Sequence, residues 1–131
     1  MERLRLDKRG IAYVNFFIKP FDSLILKPIE FKLDTGASVT TISTDMLHKL
    51  GYGISSGKEK RIITASSVEY VRPVMIDKIS IGGIELENIE VYAHTFPESS
   101  FSLGVLGLNV LRHFDVSLFF SKKEIELIRI D

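Results

Sequence analysis

The chain has no cysteine. That excludes a disulfide scaffold, thiol catalysis and thiolate metal sites. It has no excess of either charge: seventeen Lys and Arg stand against seventeen Asp and Glu. Without a basic surplus, nucleic acid is not an expected partner. No run of about 18 apolar residues occurs, so no membrane-spanning helix is expected. The opening Met1-Glu2-Arg3-Leu4-Arg5 leads into Asp7-Lys8-Arg9-Gly10 without a long apolar stretch, unlike a secretory leader. A cytoplasmic location is the expectation. Linkers, low-complexity tracts and repeats of 20–50 residues are also missing. With 131 residues, 45% of them hydrophobic, the chain reads as one self-sufficient domain over residues 1–131.

Strand signals dominate what is there. Ile11 to Lys19 is β-branched and aromatic, and Asp7 to Gly10 before it has turn composition. Ile29 to Leu33 forms a second run, and Val39 to Ile42 a third. Leu24-Ile25-Leu26 could add a short strand. Arg61 to Ala65 and Val68 to Ile76 flank Ser66-Ser67 as a hairpin. Ile79-Ser80-Ile81 and Ile84-Glu85-Leu86 alternate apolar and polar residues around Gly82-Gly83, a strong hairpin signal. Ile89 to Ala93 adds a strand, and Val116 to Phe120 with Glu124 to Ile130 a last hairpin. Two short helices are expected. One starts at a Thr44 cap and stops at Gly51; the other spans Leu108 to Phe114. Many short strands with frequent turns and little helix imply an all-β, closed antiparallel barrel.

The sharpest chemical feature is Phe31-Lys32-Leu33-Asp34-Thr35-Gly36-Ala37-Ser38. A buried-looking strand ends in an acid, a hydroxyl and a glycine. Such a loop presents a carboxylate on a rigid support, as a catalytic group requires. The same residue types are also common in plain turns. Other chemistry is weaker. His48, His94 and His113 lack close ligand spacing. Gly51-Tyr52-Gly53 is no phosphate loop, and there is no Gly-x-Ser-x-Gly elbow. Neither metal nor cofactor is implied.

Leu33-Asp34-Thr35-Gly36-Ala37-Ser38 with Val39-Thr40-Thr41-Ile42 resembles the active-site segment of the aspartic proteases. Gly104-Val105-Leu106-Gly107-Leu108-Asn109 is similar to that family's downstream element, two apolar residues, a glycine and a short helix, which crosses behind the catalytic loop. Between them, Ile63-Thr64-Ala65-Ser66-Ser67-Val68 occupies the place of the family's flap. The motif occurs once, so the chain resembles the single-lobe, retropepsin-like group. That resemblance implies an acid-protease barrel with one lobe per chain. It further implies a homodimer in which Asp34 of each subunit meets its mate and shares a proton. Asp34 would be the catalytic acid and base, and the substrate an extended peptide or protein. Thr35 and Gly36 would support the site. Gly36, Ala37, Ser38, Thr64, Ala65, Ser66 and Ser67 would contact substrate.

Two departures bear on this reading. Retroviral members pair an acidic residue after the Asp-Thr-Gly-Ala string with an arginine after the downstream glycine. Ser38 and Leu108 stand there, so both charges are lost together. Ser67 replaces the flap-tip glycine usual in bacterial members. Ile81-Gly82-Gly83-Ile84 is similar to a retroviral flap tip, yet its position and alternation fit a structural turn. The alternative to a protease is a catalytically silent module of the same fold that binds peptide or only dimerises.

Overall fold

A computed structural model describes residues 2–6, 10, 12–54, 59–63, 66–95 and 104–130. The expected turn at Asp7 to Arg9 and the loop interior around Pro97 lie outside them. The strands follow the alternation in the sequence. In β2 (Tyr13–Ile18), Val14, Phe16 and Ile18 are buried while Asn15 and Phe17 face outward. Next to it in β3 (Lys27–Leu33), Ile29 and Phe31 point inward. The rings of Phe16 and Phe31, both fully buried, pack tightly at a steep angle with centroids 4.0 Å apart.

The next elements are β4 (Thr41–Ser43), α1 (Thr44–Lys49), β5 (Lys60–Ile63), β6 (Val68–Ile81) and β7 (Ile84–His94). Then come β8 (Gly104–Leu106), α2 (Leu108–Leu111), β9 (Phe114–Phe119) and β10 (Glu124–Arg129). Strands β2-β3-β8-β4-β7-β6 neighbour one another in that order, and β6 returns to β2 through Phe17↔Ser80 and Ile18↔Ile79. The ring is therefore a closed six-stranded barrel with two short helices, as expected from the strand-rich sequence. Most pairings are antiparallel; β3–β8 and β4–β7 run parallel. Closure leaves no free edge within the ring. A further strand, β1 (Glu2–Arg5), joins β10 and β9 in a separate three-stranded sheet of order β1-β10-β9.

Several local expectations need correction. Ser43, not Thr44, caps α1: its hydroxyl accepts from the Met46 amide at 3.4 Å. The far end of α1 is closed by two amides, Gly51 to the His48 carbonyl and Tyr52 to the Leu47 carbonyl, each at 3.0 Å. Helix α2 is only four residues long, because Phe114 already belongs to β9. Leu24 and Ile25 form no strand; they are 89% and 71% exposed in a loop. The runs ending at Ile76 and starting at Ile79 are one strand, β6. Its alternation breaks at Asp77, whose amide donates to the Tyr52 hydroxyl. The hairpin at Gly82-Gly83 stands as expected, with both glycines at positive φ, as a tight two-residue turn requires. Among the described residues, no helix is long and apolar enough to cross a membrane.

Candidate active site

Strand β3 leaves the barrel at Leu33 and delivers Asp34 to a loop. The Asp34 amide donates to the Leu106 carbonyl at 3.0 Å, which ties the acid's backbone to β8. Its carboxylate Oδ1 accepts from the Gly36 amide at 2.8 Å, and the Ala37 amide returns to the Asp34 carbonyl at 3.2 Å. These contacts curl the loop around the carboxylate and fix its direction. Asp34 itself is half-buried, while Thr35, Gly36 and Ser38 are exposed.

The loop is held from behind by α2. The first amides of a helix have no partner within it. In α2 two of these donors go to the loop: Leu108 to the Ala37 carbonyl at 2.8 Å and Asn109 to the Ser38 carbonyl at 3.1 Å. Ser38 and Leu108, which stand where the retroviral charge pair would, are thus each bonded through backbone to the other's chain neighbour. Beneath them lies a side-chain clamp. Asn109 Oδ1 accepts from the Thr40 amide at 2.8 Å and from the Thr40 hydroxyl at 2.9 Å. The same hydroxyl accepts from the Gly107 amide at 3.0 Å, and Asn109 Nδ2 donates to the Glu90 carbonyl at 2.6 Å. Thr40 is fully buried, so these bonds satisfy groups that water cannot reach. Gly107 is needed for the approach. A Cβ there would lie 2.6 Å from the Val39 carbonyl carbon.

The loop forms one wall of a cleft of about 550 Å³. Asp34, expected to be catalytic, and Gly36, Ala37 and Ser38, expected to contact substrate, line it together. Thr35 is exposed beside them but does not line this cleft. Ser66 and Ser67 are exposed at the β5–β6 turn and do not line it either; Thr64 and Ala65 lie outside the described residues. The β5–β6 hairpin nevertheless covers the cleft through Ile62 and Ile63. Sequence reasoning placed Ile63 in the flap segment but named neither it nor Ile62 as a cleft contact, and it missed Val39, Thr41 and Tyr92 as lining residues. It also missed the Thr40–Asn109 clamp. The only available signal was that Thr40 and Asn109 both sit inside the matching motifs. Among the described residues, no cluster of His, Cys, Asp or Glu is placed to hold a metal ion.

A closed barrel whose strand end carries an acid under a hairpin cover is the architecture of a single-lobed acid protease. The family model for aspartyl proteases matches residues 23–110, two-thirds of the chain, which therefore belongs to that family. Solved structures agree on the fold. A crystal structure of a retropepsin-like aspartic protease from Rickettsia conorii superimposes with a TM-score of 0.72 at 21% identity, covering 96% of this chain and 88% of that one. EIAV protease in complex with the inhibitor HBY-793 gives a TM-score of 0.62 at 16% identity, covering 83% of this chain and 92% of that one. No match was found among curated protein sequences.

Proposed function

We propose that the chain is a homodimeric aspartic endopeptidase whose catalytic residues are the Asp34 carboxylates of two subunits. One observation carries the reading: among the described residues that line the cleft, Asp34 is the only carboxylate. Peptide hydrolysis by carboxylates needs an acid and a base at once. A single group cannot fill both roles, and a second copy related by a two-fold axis supplies the other. The half-buried Asp34 beside exposed Thr35 and Gly36 leaves room for that partner loop.

In this mechanism one carboxylate is ionised and its mate holds a proton. The ionised group removes a proton from a bound water, and the water oxygen bonds to the peptide carbonyl carbon. The protonated group gives its proton to the carbonyl oxygen. As the tetrahedral intermediate collapses, the carbon–nitrogen bond breaks, and the leaving nitrogen takes the proton first removed from water. One hydroxyl of the intermediate returns its proton to the second carboxylate, which leaves a carboxylic acid and restores the singly protonated pair. The substrate lies extended across the loop, with the β5–β6 hairpin excluding bulk water. Thr35 locks the two loops together, and Gly36, Ala37 and Ser38 contact the substrate, as would Thr64, Ala65, Ser66 and Ser67 from the hairpin tip.

A peptide-library cleavage assay tests this reading. Wild type should cut extended peptides and be blocked by a pepstatin-type inhibitor. Asp34→Asn should bind but not cut, with the folded dimer retained by sedimentation. Full turnover by Asp34→Asn ends the proposal. Peptide binding without turnover by the wild type would favour the silent module, which the loss of the Ser38 and Leu108 charge pair makes worth testing.

A further inference from the structure

The two walls of the cleft differ in chemistry. Thr41 and Tyr92 are register partners on the parallel strands β4 and β7. Their neighbours Ile42 and Ala93 are buried in the core, so Thr41 and Tyr92 face the other way, into the cleft. Ser38 adds a third hydroxyl from the loop. The opposite wall, from β5, is aliphatic: Ile62 is half-buried, and Ile63 is 76% exposed. Ile63 thus presents an aliphatic surface to the cleft.

The cleft's charge balance is also informative. Behind Tyr92, the Lys60 ammonium lies 5.7 Å from the ring centroid and 3.9 Å from the Glu90 carboxylate. These two charges offset each other, and neither lines this cleft. Apart from Asp34, the reacting group, no charged residue lines the cleft among the described residues, so a substrate side chain entering between these hydroxyls and isoleucines meets no counter-ion dedicated to it. Placing a charge there would carry an uncompensated desolvation cost. A wholly apolar side chain would leave three hydroxyls without substrate partners.

We infer that Ser38, Thr41 and Tyr92, facing Ile62 and Ile63, form a specificity pocket for a substrate side chain with an aliphatic stem and an uncharged hydrogen-bonding end. Threonine and glutamine have this form. Their near-isosteres valine and methionine keep the stem and lose the polar end. The inference rests on the protease reading and names the substrate class for that site. Thr41 and Tyr92 act as specificity residues, and Asp34 remains the reacting group.

The test is a set of four peptides differing at the one position that occupies the pocket, carrying Thr, Val, Gln or Met. The wild type should cut Thr over Val and Gln over Met by about five- to tenfold in kcat/KM, the effect of one or two partly exposed hydrogen bonds. Combining Thr41→Val with Tyr92→Phe should bring both ratios to about one or below, while Thr41→Ser keeps them. A wild type that prefers Val and Met, or a double variant with unchanged ratios, overturns the inference. Should the double variant not fold, the wild-type ratios decide. If the wild type cuts none of the peptides, the protease reading fails on its own. Calorimetric binding of the same four then decides the pocket: tighter Thr and Gln support it, and equal or weaker binding overturns it.

Discussion

Asn109 shows how one side chain can organise a site it does not enter. Its amide oxygen serves two donors on Thr40, and its nitrogen serves the Glu90 carbonyl on β7. Leucine would fill a similar volume but leave the buried Thr40 amide and hydroxyl without that acceptor. Asn109→Leu is expected to cost about 2–3 kcal/mol of stability. Urea unfolding with an unchanged slope would show it. Tyr52 makes a different case. Its hydroxyl donates to the Lys19 carbonyl at 2.6 Å and accepts from the Asp77 amide at 3.3 Å. Burial raises its pKa above the ordinary 10.0, partly offset by the Asp77 amide and reinforced by the Asp77 charge. The folded protein thus keeps this proton at a pH where the unfolded chain loses it. Stability from Tyr52 is therefore full below about pH 10 and declines as pH rises beyond it. Denaturation midpoints at pH 8 and 10.5 should fall for the wild type, and Tyr52→Phe should lose less across that interval.

At the scale of elements, α2 is short because its work is at its start. Four residues suffice to aim the Leu108 and Asn109 amides at the loop. The preceding glycine sets the distance. Gly107→Ala would push a methyl into the Val39–Thr40 backbone, with contacts of 2.6–2.8 Å, and backbone cannot yield as a flexible side-chain end can. The expected loss is about 1–3 kcal/mol, with cleavage falling further than stability because the displaced backbone carries the Asp34 loop. Thermal melts and kcat/KM on one preparation would separate the two effects. This element also shows what the sequence could and could not tell. The apolar-apolar-Gly pattern before Leu108 was legible, and so was the strand ending in Asp34, because both are local. Hairpins at Ser66-Ser67 and Gly82-Gly83 were legible for the same reason. What escaped were pairings between distant segments. The parallel registers Thr41↔Tyr92 and Lys32↔Val105 join residues dozens of positions apart, and nothing in either strand's pattern names its partner. Strand β1 escaped too, since Glu2-Arg3-Leu4-Arg5 is mostly charged and finds its place by pairing with β10. The cleft's far wall, Thr41 and Tyr92, follows from those registers and was hidden with them.

For the whole molecule, the barrel is self-contained while the proposed chemistry is not. Ile125 and Leu127 of β10 are fully buried, which places part of the C-terminal tail in the core. Leu118, Phe120, Ile128 and Ile130 stay 43–64% exposed around the same three-stranded sheet. They are the tail's candidates for contact with a second copy, alongside the loop carrying Asp34. If each active unit needs two Asp34 residues, catalysis belongs to the pair and must follow mass action. Specific activity should then fall on dilution through the dissociation range and recover on concentration. Subunit mixing gives a sharper outcome. Asp34→Asn keeps the fold but supplies no second carboxylate. Equal amounts of variant and wild type, allowed to exchange, should place about half of the wild-type subunits in mixed pairs and lower activity per wild-type subunit to about one half. A catalyst complete within one chain would lose nothing on mixing, because each barrel would carry its own acid and base. Half-activity at equal mixing, approaching zero with excess variant, is the result that a shared two-carboxylate centre requires.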